Sequence, residues 1–213
     1  MEKTFIHDAD RNVYNTVTIG KQTWTVENLR TTKYNDGTAI PLITDINIST
    51  PGYCWYDNDE STNNIIYGAL YNWYAVDTKK LAPKGYHVPT NEDWDILQNY
   101  LIANGHNYDG TKTGNKIAKS MAAQTNWSKY SGTGTIGNDL SKNNKSGFSA
   151  LPGGFCDMGN FCLIGSLGDW WSATESEHAS SAYYSSLSST AYDLYWGCQD
   201  KCCGLSVRLL EDN

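Results

Sequence analysis

Eight tryptophans and fifteen tyrosines stand against only four phenylalanines in this chain. Tyr and Trp join a large apolar face to a polar tip, so they suit cores with polar edges and exposed binding surfaces alike. A fold that uses so many must give each N–H or O–H a partner or place it in water. The chain has 213 residues, of which 39% are apolar and 13% aromatic. That excludes an intrinsically disordered polymer, and size scaling lets about 70% of the unfolded surface be buried. No run reaches the roughly 18 apolar residues of a membrane span. The net charge of −7 argues against nucleic acid or an anionic membrane as partner. No apolar stretch follows Met1-Glu2-Lys3-Thr4-Phe5, so no secretory signal is expected in the sequence as written.

The first third alternates like strands. Residues 13–19 and 22–26, joined by Gly20-Lys21, predict a hairpin. Asn35-Asp36-Gly37-Thr38 reads as a turn, and residues 53–56 as a short aromatic strand ended by the polar run 57–64. Residues 68–76 place Ala69, Leu70, Trp73 and Val76 at helical spacing. A second helix begins after Pro89, where Thr90 and Asp93 form a capping box; Trp94, Leu97, Tyr100 and Leu101 supply its stripe and Gly105 its stop. A weaker helix is expected over 115–123. Residues 148–155, 170–174 and 205–209 return to strands. Strands at both ends with helices between predict a single α+β domain over 1–213, termini paired in one sheet, with Trp24, Trp73 and Trp94 in the core.

The six cysteines are Cys54, Cys156, Cys162, Cys198, Cys202 and Cys203. Cys156 and Cys162 flank the turn at 157–160, the one arrangement that suggests a disulfide, and its state is left open. The late three lack common zinc spacing and read as isolated thiols. His7, His87, His106 and His178 are scattered, and no nucleophile elbow, phosphate-binding loop or His-Glu-x-x-His occurs. No catalytic residue, metal or cofactor is expected.

Several segments together resemble the Fibrobacter succinogenes major paralogous domain. They are Thr18-Ile19-Gly20-Lys21-Gln22-Thr23-Trp24 with Val26-Glu27-Asn28-Leu29-Arg30; Tyr34-Asn35-Asp36-Gly37; the stretch from Tyr67 to Ala75; and Gly85-Tyr86-His87-Val88-Pro89-Thr90 through Trp94. Residues 146–154, Trp170-Trp171-Ser172-Ala173-Thr174-Glu175 and Gly204-Leu205-Ser206-Val207-Arg208 complete the set. The resemblance implies a C-type-lectin-like fold, related to the formylglycine-generating, sulfatase-modifying domain, whose last strand pairs near the first. It also implies an extracellular, cell-surface or virion-associated protein of Bacteroidetes-like bacteria or their phages. The segment 87–94 is similar to one in formylglycine-generating enzymes, but the late cysteines occupy no matching motif, which disfavours that oxidase. The calcium-binding tripeptides of sugar-binding C-type lectins are absent, and Asp57, Asp59 and Glu60 read as a solvated acidic loop.

Residues 182–203 carry the sharper signal, a mixture of Tyr, Ser, Asp and Gly suited to adaptable recognition. Tyr192, Asp193, Tyr195, Gly197, Cys198, Cys202 and Cys203 are types reachable from an Asn codon by changing adenines; Trp196 and Gln199 are reachable from Arg and Lys codons. This resembles the variable region of proteins diversified by an adenine-mutating retroelement. The expected ligand-binding residues are Tyr184, Ser186, Ser188, Tyr192, Asp193, Tyr195, Trp196, Gln199 and Asp200. The expected partner is a protein or glycan on another cell or host surface. A fixed surface adhesin or carbohydrate-binding module is the alternative. Truncating Tyr195 or Trp196 to alanine is expected to weaken binding without loss of stability.

Overall fold

Gly20-Lys21 turns the chain between β2 (Val13–Ile19) and β3 (Gln22–Thr25), which pair antiparallel with Val17 opposite Trp24, as the alternation predicts. The structure, a computed structural model, describes residues 5–43 and 49–212. Outside this hairpin lies β1 (Phe5–His7), paired to β2. On its inner side, β12 (Leu210–Glu211) joins β3 through Leu210 and Trp24, then pairs with β6 (Tyr86–His87). The order β1-β2-β3-β12-β6 brings the two ends of the chain into one sheet.

A second sheet, in the order β11-β10-β9, is formed by β9 (Leu167–Glu175), β10 (Ser181–Ser188) and β11 (Tyr195–Asp200). Adjacent strand residues point to opposite faces, and Trp170 and Trp171 use this to enter two different cores. Trp171 packs with Tyr14, Trp55, Tyr71, Trp73, Val207 and Leu209. Trp170 packs with Trp24, Trp94, Leu97, Phe148 and Leu187. Three of these indole N–H groups find acceptors: Trp171 donates to the Tyr71 carbonyl at 2.7 Å, Trp170 to Asn28 Oδ1 at 2.8 Å and Trp73 to the Ser172 carbonyl at 2.9 Å. Burial demands such partners, yet among the described residues the buried Trp94 indole nitrogen and the Tyr34 hydroxyl have none.

The helix α3 (Asn91–Ala103) follows its predicted signals. Thr90 Oγ1 accepts from the Asp93 N–H at 3.3 Å and Asp93 Oδ2 from the Thr90 N–H at 2.9 Å. At the other end Gly105 takes φ +73°, and the Gly105 and His106 amides donate to the Ile102 and Leu101 carbonyls, closing a Schellman stop. Thr90→Ala is expected to lower unfolding free energy by about 1 kcal/mol in urea titration. Trp94, Leu97 and Leu101 are buried, whereas Tyr100 lies exposed over Gly20.

Other expectations need correction. Residues 68–76 are not one helix: β5 (Leu70–Tyr71) pairs with β4 (Tyr53–Cys54), and α2 (Trp73–Asp77) starts only after Asn72, whose side chain caps the Ala75 amide. The polar run 57–64 is half helix, since Asp59 caps α1 (Glu60–Tyr67). The third helix shrinks to α4 (Ala118–Met121). Residues 148–154 are not a regular strand; Ser149 and Gly154 have positive φ, and Pro152 has no N–H to donate. Only Phe155 enters a strand, β7 (Phe155–Asp157), which pairs with β8 (Asn160–Cys162). Residues 205–209 keep their alternation but are buried on both faces, bridging Tyr71 and Trp170 before regular pairing begins at Leu210. Among the described residues, no helix is long and apolar enough to cross a membrane.

Candidate recognition face

The tract 182–203 is the hairpin of β10 and β11, with β11 at the edge of its sheet among the described residues. Register divides its side chains between two faces. Ser186 lies opposite both Asp169 and Tyr195, and Tyr184 opposite Trp171 and Gly197. Tyr184, Ser186, Tyr195 and Gln199 therefore share one face. The rings of Tyr184 and Tyr195 stand 6.4 Å apart. They close over Gly197, where an added Cβ would lie 2.7 Å from one ring and 2.9 Å from the other. Tyr195 is 57% exposed, while Tyr184 is half-buried and its phenol is pushed up to about 12, first by burial and then by the nearby Asp169.

The remaining predicted residues fall elsewhere. Ser186 is only 7% exposed and hydrogen-bonds to the Asp169 carboxylate, so it supports the face from beneath. Trp196 points to the opposite side and packs edge-on against Trp94, ring centroids 6.4 Å apart. Its ring packs against the second core, so truncating it is expected to cost stability, contrary to the expectation from sequence. Tyr192 and Asp193 sit in the connecting loop, with Tyr192 47% exposed beside Tyr108. Ser188 bonds Thr190 at 3.0 Å. Gln199 Oε1 accepts from the exposed Asp200 amide at 3.3 Å.

The loop is seated rather than free. The Ala118 amide donates to the Tyr192 carbonyl, the Ile136 amide to the Ala191 carbonyl, and Asn115 brackets Leu194 through both its amide nitrogen and its oxygen. At the hairpin's far end the buried Lys201 ammonium donates to Glu175 and, at 2.6 Å, to the Ala179 carbonyl, lying 4.7 Å over the Trp73 ring. Neither Lys201 nor Asp169 was singled out by sequence, since each acquires its role only from distant neighbours.

The thiols are not arranged as a reactive pair on this face. Cys198 is exposed, while the buried Cys203 thiol bonds Asp157 at 3.3 Å and is pushed well up by burial and that carboxylate. Cys156 and Cys162 do share the predicted hairpin, but Cys156 lies opposite Phe161 and Cys162 opposite Phe155, and both thiols are free. The one-residue offset sends them to opposite faces. The close partner of Cys156 is instead Cys54, whose thiol is held protonated by their mutual hydrogen bond and by burial.

These features define a mixed α+β domain in which the described residues form a five-stranded sheet, a three-stranded sheet, two two-stranded ribbons and a few helices around a pair of tryptophan cores. The Fibrobacter succinogenes major domain matches residues 17–211, and the chain belongs to that family. No curated protein and no solved structure matches it.

Proposed function

We propose that this is a non-catalytic ligand-binding protein whose C-terminal hairpin, about residues 182–203, is its recognition surface. The observation that carries the reading is the Tyr184–Tyr195 pair, on a sheet edge backed by two aromatic cores. Such a framework presents large contact surfaces with little ordering cost on binding. The scaffold is read as C-type-lectin-like and related to the sulfatase-modifying fold, a reading supported by the pairing of the terminal segments in one sheet. Within it the tract is a retroelement-diversified region facing a protein or glycan on another cell or host surface, and the protein acts outside the cell or on a virion. A fixed adhesin or carbohydrate-binding module is the alternative.

Labelled full-length chain applied to intact cells tests the face. Tyr195→Ala is expected to weaken cell binding by about tenfold, as truncation of an exposed aromatic anchor does, with stability within about 0.5 kcal/mol of the parent. Trp196→Ala is expected to lower stability by about 2 kcal/mol through the cavity left beside Trp94. Unchanged cell binding by Tyr195→Ala overturns the face. A near-identical template repeat of the coding segment, differing at adenines and neighbouring a reverse transcriptase gene, separates diversified binder from fixed adhesin.

A further inference from the structure

A cleft of about 390 Å³ opens between the loop after α3, the short helix α4 and the segment 133–145. Its volume lies within the roughly 300–1,000 Å³ usual for small-molecule sites. In a chain of net charge −7, its walls carry Lys119, Lys142 and Lys145 together with His106. The compensating carboxylates are fewer. Asp139 pairs with Lys142 at 3.0 Å, and the nearby Asp109 is taken by Lys116 at 2.5 Å. Lys119 is buried, and its ammonium donates only to carbonyls: Thr135 and Asp139, each at 3.2 Å, and Asn138. Among the described residues no carboxylate touches it; burial lowers its pKa, and the Asp139 charge acts against that. Lys145 likewise donates to a carbonyl, that of Gly105 at 2.8 Å.

An aromatic wall completes the cleft. The Tyr108 ring lies so close to Gly134 that a Cβ there would approach it to 2.3 Å, and Tyr192 flanks it at 6.1 Å. Hydrogen-bonding groups stand beside it: His106 Nδ1 meets Ser120 Oγ at 2.8 Å, leaving Nε2 without a protein partner among the described residues. A second open cleft, lined by Lys129 and Tyr130, shares Asn138 with the first. Cations, a tyrosine face and adjoining polar subsites are the complement of a ring bearing hydroxyls, an apolar C–H face and an anionic group.

We propose that this cleft binds an acidic saccharide, with the carboxylate or sulfate of one pyranose held by Lys142 and Lys145 above Lys119 and its ring against Tyr108. The site goes beyond the hairpin face, touching the tract only where Tyr192 flanks Tyr108, and is tested by separate means. Isothermal titration of the full chain uses tetragalacturonate, its methyl ester, a sulfated galactose tetrasaccharide and inorganic sulfate. At least one acidic saccharide is expected to bind about tenfold or more tightly than both the methyl ester and inorganic sulfate, and which of the two binds tells carboxylate from sulfate. The Lys142→Ala/Lys145→Ala double variant, both positions exposed, is expected to lose about tenfold in affinity and keep its thermal transition. Tyr108→Ala is expected to weaken the saccharide while leaving inorganic sulfate unaffected. Equal binding of ester and acid, sulfate binding as tightly as any saccharide, undiminished binding by the double variant, or no binding to either acidic saccharide overturns the proposal. None of these outcomes touches the hairpin face, which is read on cells through Tyr195.

Discussion

Arg208→Lys is expected to cost about 3–5 kcal/mol of unfolding free energy, a large share of what a domain of this size holds. Arg208 is 0% exposed. Its Nε donates to Asn28 Oδ1 at 2.7 Å, Nη1 to the Thr25 and Phe148 carbonyls at 2.7 and 3.0 Å, and Nη2 to the Ser149 carbonyl at 3.1 Å. The guanidinium lies 4.8 Å over the Phe148 ring. Every hydrogen-bond acceptor is neutral, and burial lowers the Arg208 pKa to about 9 although the Glu27 carboxylate acts to raise it. One side chain thus ties the end of β3 to the irregular segment 148–149 and to the buried terminal strand. A lysine offers one ammonium in place of a planar fork, so it leaves acceptors unpaired while keeping the buried charge. Guanidinium unfolding followed by tryptophan fluorescence measures the loss. A loss under about 1 kcal/mol would mean that water replaces the missing donors.

Arg208 also marks how much of the fold local sequence can reveal. The β2–β3 hairpin and α3 were legible because their signals are local: a glycine turn between alternating runs, a capping box, and a glycine three turns and more downstream. The stretch 68–76 was misread because an apolar run fits helix and strand spacing alike. The useful signal there was Asn72, a good N-cap whose carboxamide oxygen accepts from the Ala75 and Gly52 amides at 3.1 Å. Residues 205–209 alternate as predicted, yet alternation does not reveal that Ser206 and Arg208 face a second buried layer.

The candidate sites show the same division. Composition marked the hairpin tract, but burial within it followed packing. Ser185 and Ser186 are small enough to be enclosed, and Trp196 was drawn into the core by Trp94. The lysine cleft had no spacing signature, because Tyr108, Lys119 and Lys145 lie on separate segments that meet only in the folded chain. Sequence therefore exposes what a segment is made of sooner than what it touches.

Asp169→Asn is expected to stabilise the domain by up to about 3 kcal/mol at pH 7.5 and to leave it unchanged near pH 3.5. Asp169 is 5% exposed, one carboxylate oxygen has no partner among the described residues, and burial pushes its pKa up to about 6 despite a hydrogen bond from Ser186. A carboxyl raised in the folded state binds its proton more tightly there than in the unfolded chain. Its contribution is harmless below about 3.8, where both states are protonated, and becomes a penalty as pH rises towards about 6. The parent should therefore lose stability across that window, whereas the amide variant should lack this slope. Urea titrations at several pH values separate the two, and a less stable amide variant at pH 7.5 would show that the carboxylate has an ionic or water partner after all. The position matters beyond stability, because Asp169 shares a sheet face with Tyr184, Ser186 and Tyr195. A carboxylate that opposes folding beneath the recognition pair is of the kind that function retains. Measuring cell binding by the same variant then tells whether the charge serves the face or is only tolerated under it.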